Sequence, residues 1–229
     1  MYYSGSMGYY IVLLVSMALT LGAQFFINSV YQKTKKIRAK NSMSGCDVAR
    51  KILDSNGLKK VKVQEIEGTL SDHYDPKNKV VSLSTDIYNG SSLASVAVAA
   101  HECGHAIQDK VGYSFLRFRH SMIPLVNFAS RAGYIIIMIS VFTSLLKLLW
   151  VGICLELVIL LFQMVTLPVE FNASNRALKQ IVELGIVEKK ESFKCKEMLF
   201  AAALTYVASV ATAILEIVRL ISMARRDDR

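Results

Sequence analysis

Long apolar runs alternate with two polar stretches along this chain, and their lengths predict a mostly helical protein. The first run, from about Gly8 to Val30, holds no charged residue. Two more fall at 122–148 and 150–167, and a last one begins near Met198. A membrane-crossing helix needs about 20 mostly apolar residues. The pattern therefore predicts about four transmembrane helices. It divides the chain into an anchor at 1–30, a polar domain at 31–121, a transmembrane hairpin at 122–167 joined around Lys147 to Gly152, a polar segment at 168–197, and a final helix with a tail at 198–229. The first run lacks a basic leader and a small-x-small cleavage site, and it is long for a signal core, so it reads as an uncleaved anchor.

Within 31–121 the pattern changes period. In "NSMSGCDVARKILDSNGL", Val48, Ile52 and Leu53 recur at helical spacing and Gly57 ends the run, which predicts a short amphipathic helix. "VKVQEIEG" alternates apolar and polar residues and predicts a strand. "DPKN" is a turn signal, and "KVVSLS" after it predicts a second strand. Asn89 to Ser92 then suit the start of a helix running through "SVAVAAHECGHAIQD". The expected fold class is an α+β membrane protein, mostly helical, with a short β-hairpin or sheet in its polar domain.

Charge adds orientation. The chain has 229 residues, is 53% hydrophobic and carries a formal net charge of +9. No Lys or Arg precedes the first apolar run, but Lys33, Lys35, Lys36, Arg38 and Lys40 follow it. Basic residues flank the cytoplasmic ends of membrane helices, so 31–121 is expected in the cytoplasm. Six Lys/Arg residues in 168–197 favour the same side. A fourth crossing would leave Arg225, Arg226 and Arg229 outside, only partly offset by Asp227 and Asp228, so the last helix conflicts with the rule. The basic run beside an apolar block fits lipid headgroups and excludes nucleic acid as the expected partner. Cys46, Cys103, Cys154 and Cys195 are scattered, with no CxxC pair, and are expected as reduced thiols.

Two histidines and a glutamate interrupt the small apolar residues of the last helix in the polar domain. His101 and His105 are four apart and so share one helix face. Buried without partners they would be costly. His-Glu-x-x-His on a helix holds zinc with the glutamate as general base, which removes the difficulty. The two imidazoles converge on an ion that takes nitrogen at about 2.0–2.1 Å, and Glu102 accepts a proton from water and returns it to a leaving amine. Ala97, Ala99, Ala100 and Gly104 permit close packing around such a site.

A catalytic zinc uses three protein ligands. The branch with a third histidine six residues on is excluded, because that position is Val111 and Gln108 replaces the intervening glycine. His73, His120, Glu156 and Glu170 are the candidates. Glu156 falls inside an apolar span. Glu170 follows Pro168, where a helical start would put Glu170 and Ser174 on one face. Spacing alone leaves Glu170 as either a ligand or a solvated first-turn carboxylate.

"LSDHYDPKNKVVSLS", "VAAHECGHAIQD" and "LPVEFNAS", in this order, resemble the YugP-type membrane zinc metallopeptidases of bacteria, a neutral zinc metallopeptidase family. The resemblance spans most of the chain. It implies a zincin-like peptidase domain, Zn2+ as cofactor, His101 and His105 as ligands and Glu102 as base. By analogy with related membrane zincins it implies Glu170 as third ligand. The Cys at 103 occupies an unconstrained motif position.

These readings predict a multi-pass protein of the cell membrane with a cytoplasm-facing active site. It would be a zinc-dependent endopeptidase cutting membrane or membrane-proximal proteins, with the lipid bilayer and a peptide substrate as partners. A homo-oligomer or a membrane partner protein is compatible with the pattern. The alternative is a non-catalytic membrane interaction protein in which zinc is structural, closed by His73 or Cys103. "KVVSLS", as an edge strand, would bind an extended substrate by strand addition. His73 is read first as a turn residue and second as an oxyanion donor. Arg176 is read first as a surface group. Asn172 and Ser174 are read as groups that orient a ligand.

Overall fold

A computed structural model of the chain describes residues 3–143 and 145–225. Ten elements follow in order: α1 (Tyr3–Lys35), α2 (Gly45–Ser55), β1 (Lys62–Ile66), β2 (His73–Asp75), β3 (Val80–Ser84), α3 (Thr85–Tyr88), α4 (Leu93–Lys110), α5 (Ser114–Thr143), α6 (Leu146–Glu183) and α7 (Lys189–Ala224). Four helices are long and apolar enough to cross a membrane, over Tyr10–Lys35, Ser114–Thr143, Lys147–Glu183 and Lys189–Ala224. The protein is therefore mostly helical with one small sheet, the expected α+β class.

The described residues fall into two compact units. One gathers the chain up to Gln24, Phe118–Leu167 and the part from Thr205 onward. Its helices turn Leu14, Phe128, Phe142, Leu161 and Val218 outward, the surface that lipid rather than water would cover. The basic tail after Arg225 lies outside the described residues, so the conflict over Arg226, Asp227, Asp228 and Arg229 stays at the level of sequence.

The other unit comprises Phe25–Arg117 and Pro168–Leu204 and holds the candidate site. Its core includes the three α2 residues that recur at helical spacing. Val48, Ile52 and Leu53 of α2, Val81 and Leu83 of β3, Ile87 of α3, and Ala97, Ala99 and Ala100 of α4 are buried together with Ile181 of α6 and Cys195 of α7. Burying a side chain such as Ile52 or Leu53 contributes about 1.5–3 kcal/mol. A capping box starts α2: Ser44 Oγ accepts from the Asp47 amide at 3.1 Å, and the Asp47 carboxylate accepts from the Ser44 amide at 3.0 Å. Ser92 caps α4 in the same manner by accepting from the Ser95 amide at 3.1 Å.

The sheet differs from the expected pair of strands. Its order is β1-β3-β2, with β1 parallel to β3 and β2 antiparallel to β3. The turn between β2 and β3 forms as "DPKN" predicts, with Asp75 Oδ1 accepting from the amides of Lys77 and Asn78 at 2.8 and 3.1 Å. The extra strand, β2, makes "KVVSLS" the central strand. Both its backbone edges are occupied, so the expectation that it binds substrate as an edge strand is corrected: the outer strands of this sheet are β1 and β2.

Two helix boundaries also differ. α5 ends at Thr143 and α6 begins at Leu146, so Lys147–Gly152 lie in the first turns of α6. Pro168 starts no new helix. It lies inside α6, as Pro124 lies inside α5, a placement that long apolar helices tolerate. With 38 residues, α6 is about 57 Å long. A crossing of about 20 residues uses roughly half of it, and Glu170 sits in the remainder.

Candidate metal centre

Two helices deliver the side chains of the site. α4 carries His101, Glu102 and His105, and α6 carries Glu170 and Ser174. They meet at backbone contact, because Gly104 faces the main chain of Ala173. A Cβ built on Gly104 would stand 2.5 Å from the Ala173 carbonyl oxygen. The glycine in "HECGH" thus sets how closely α6 can approach the histidines. Glu170 and Ser174, four apart on α6, turn the same face to α4, and both are buried.

Among the described residues, the one group of His, Cys, Asp or Glu side chains arranged to hold a metal ion is His101, His105 and Glu170, with one donor atom each within 4.8 Å of the others. His101 Nε2 is 3.2 Å from Glu170 Oε2 and 3.2 Å from His105 Nε2. His105 Nε2 is 3.6 Å from Glu170 Oε2. Three donors bound at about 2.0–2.1 Å to one tetrahedral ion would stand about 3.3 Å apart. The triangle fits zinc. Its donor set, two imidazoles and a carboxylate, also suits that ion.

The outer nitrogens are held as well. His101 Nδ1 lies 3.2 Å from Ser174 Oγ, and His105 Nδ1 lies 3.0 Å from Gln108 Oε1. The rings stand edge to face, their centroids 4.7 Å apart. Burial works to lower the pKa of His105, but the hydrogen bond to Glu170 and the charges of Glu102 and Glu170 raise it by more. Glu102 is buried beside them. Burial pushes its carboxyl up, and the two imidazoles only partly restrain it. Such a carboxyl holds its proton to a higher pH than an exposed one.

The other candidates lie elsewhere. His73 is exposed on β2, with Nδ1 2.9 Å from the Ser71 carbonyl. His120 and Glu156 belong to the other unit. The Cys103 thiol is buried and donates to the Ala49 carbonyl at 3.6 Å, and burial drives its pKa far up. Arg176 donates from Nε to Asn172 Oδ1 at 2.7 Å. Sequence reasoning missed Gln108, noted there only as the residue replacing a glycine. The signal was its position three residues past His105, hence on the same face. It also missed the bond from the Tyr74 hydroxyl to Asp109 Oδ2, 2.7 Å, which ties β2 to α4.

No solved structure matches the chain. A curated relative from Bacillus subtilis (strain 168), "Putative membrane protease YugP", is 41% identical over 208 residues, covering 91% of this chain and 92% of its own length. With four helices fit to span a bilayer, this likeness makes the chain a membrane protein. The family model described as "Putative neutral zinc metallopeptidase" matches residues 9–225, and with nearly the whole chain matched, the protein belongs to the neutral zinc metallopeptidase family.

Proposed function

We propose that the protein is a zinc-dependent endopeptidase of the cell membrane. His101, His105 and Glu170 would hold the ion, and Glu102 would be the catalytic base. The observation that carries this reading is the donor triangle, with sides of 3.2, 3.2 and 3.6 Å, beside a buried carboxylate outside the donor set. Bound there, zinc would supply Lewis-acid activation of water and of the scissile carbonyl. Glu102 takes the proton released as water attacks and delivers it to the departing amine. Ser174 and Gln108 hold the two rings so that each turns Nε2 inward.

A purely structural site needs four protein ligands. The group numbers three, Cys103 faces Ala49, and His73 lies on β2 bonded to Ser71. This supports an open position over the closed, non-catalytic alternative. The basic residues after α1 and in 168–197 support a site on the cytoplasmic side. Glu170 continues an apolar helix, which favours membrane proteins or their exposed segments as substrates.

Glu102→Gln in the full-length protein, purified in detergent, tests the reading. It should keep wild-type zinc content and lose about 10²- to 10⁴-fold of its cleavage rate on an unfolded membrane protein. Undiminished cleavage would refute the assignment.

A further inference from the structure

We infer that Gln108 is a positioning residue that fixes which nitrogen of His105 carries its proton, and that Asn172 and Arg176 fix Gln108 in turn. The inference rests on the metal-site reading above and extends it to three residues outside the donor set.

The direction of each bond follows from groups that have only one role. Arg176 Nε can only donate, and it lies 2.7 Å from Asn172 Oδ1. Asn172 therefore presents an oxygen. The Gln108 amide lies 3.0 Å from that oxygen and 2.8 Å from the Val169 carbonyl. Both neighbours accept, so Gln108 turns its NH2 toward them. Its Oε1 is left facing His105 Nδ1 at 3.0 Å. An oxygen in that place requires an N–H, so Nδ1 is protonated and Nε2 of the neutral ring keeps a bare lone pair. That Nε2 is the atom in the donor triangle.

Gln108 is fully buried, 0% exposed. Flipping its amide would set oxygen against two oxygens and leave two buried bonds unmade. The donors therefore run from the His105 ring through Gln108 to Asn172 Oδ1, where the Arg176 N–H arrives from the other side. The network joins α4 to α6, the two helices that supply the metal-site side chains, so the spacing of the helices and the proton pattern of the ring are held by the same bonds.

The test uses the full-length protein in detergent micelles. Histidine is labelled with 15N; the chain has four, His73, His101, His105 and His120. Metal-free protein is observed at a pH where the imidazoles are neutral. His105 should be Nδ1-protonated in the wild type and in Gln108→Glu, which still offers an oxygen to Nδ1. It should become mixed in Gln108→Met, which offers none. Zinc affinity, read by competition with a chromophoric chelator, should fall about 10- to 100-fold in Gln108→Met. An Nε2-protonated His105 in the wild type overturns the inference without any variant. So does wild-type zinc affinity in Gln108→Met, the result expected if Gln108 only fills space. Should zinc affinity prove insensitive to His101→Ala and Glu170→Ala, the metal-site reading itself fails, while the metal-free spectra still decide the role of Gln108.

Discussion

Replacing Gly104 by alanine separates helix packing from helix stability at the site. In the middle of a helix, alanine is favoured over glycine by about 1 kcal/mol. Here the added methyl would meet the Ala173 oxygen at 2.5 Å and its carbon at 3.1 Å. Relief to ordinary contact needs a retreat of about 0.9 Å, and a backbone carbonyl cannot swing aside as a flexible side chain does. The α6 backbone must move. Overpacking of this kind costs about 1–3 kcal/mol, so the net loss of stability is about 0–2 kcal/mol and the domain should still fold. The donor triangle tolerates far less, because metal–ligand distances must hold to within about 0.2 Å. Glu170 lies less than one turn from Ala173 on the same helix and would be carried with it. Zinc affinity should drop about 100-fold or more, at 1.4 kcal/mol per tenfold. The assay is chelator competition on full-length protein, with helix content followed by circular dichroism. Ser44→Ala supplies the control. It removes the N-cap of α2, costs about 1 kcal/mol and touches no metal-site residue, so zinc affinity should be unchanged. A Gly104→Ala protein that binds zinc as tightly as wild type would show that the α4–α6 contact does not set the site.

The remaining predictions concern protons. In metal-free protein the raised pKa of His105 means that the fold holds this proton more tightly than the unfolded chain. The stabilisation is complete below the unfolded value and is lost as pH rises through the folded one, so thermal stability without metal should fall across that window. Zinc must displace the same proton, so its affinity should weaken with falling pH from a higher value than an exposed imidazole would give. Parallel melting and binding series check both, and flat curves between mildly acid and mildly alkaline pH would contradict them. Asp72 is raised by burial, against the lowering effect of its bonds from Ser84. The same sign applies: its contribution is present in acid and lost as pH rises through the folded pKa. Asp72→Asn, which can still accept from the Ser84 amide, should flatten the metal-free stability profile on its acid side, from the ordinary aspartate value upward, and an unaltered profile would count against it.

What could be read in the sequence depended on the range of the interactions concerned. The pairing of His101 with His105 is a property of one helical turn, so their spacing announced it. The capping residues Ser44 and Ser92 and the turn after Asp75 are equally local. Glu170 is 69 residues from His101. Its approach to the histidines depends on two helices meeting at Gly104 and Ala173, which no local periodicity encodes. β2 escaped because three residues are too short to display alternation, and its addition moved "KVVSLS" from the edge to the centre of the sheet. Pro168 read as a boundary because proline removes a backbone donor, yet α6 continues through it. Gln108 was overlooked because a buried amide shows its worth only through partners on another helix.

The separation of the donors along the chain also orders events during synthesis. At about 5–20 residues per second, Glu170 leaves the ribosome roughly 3–14 seconds after His101. In the interval the ribosome makes α5 and the first part of α6, both apolar enough to enter a bilayer. A nascent chain holding the histidine pair and Glu102 therefore lacks its third donor until that hydrophobic hairpin exists. On the proposed reading, hydrolytic competence would follow synthesis of that hairpin, and a product truncated before Pro168 would be inert toward its neighbours.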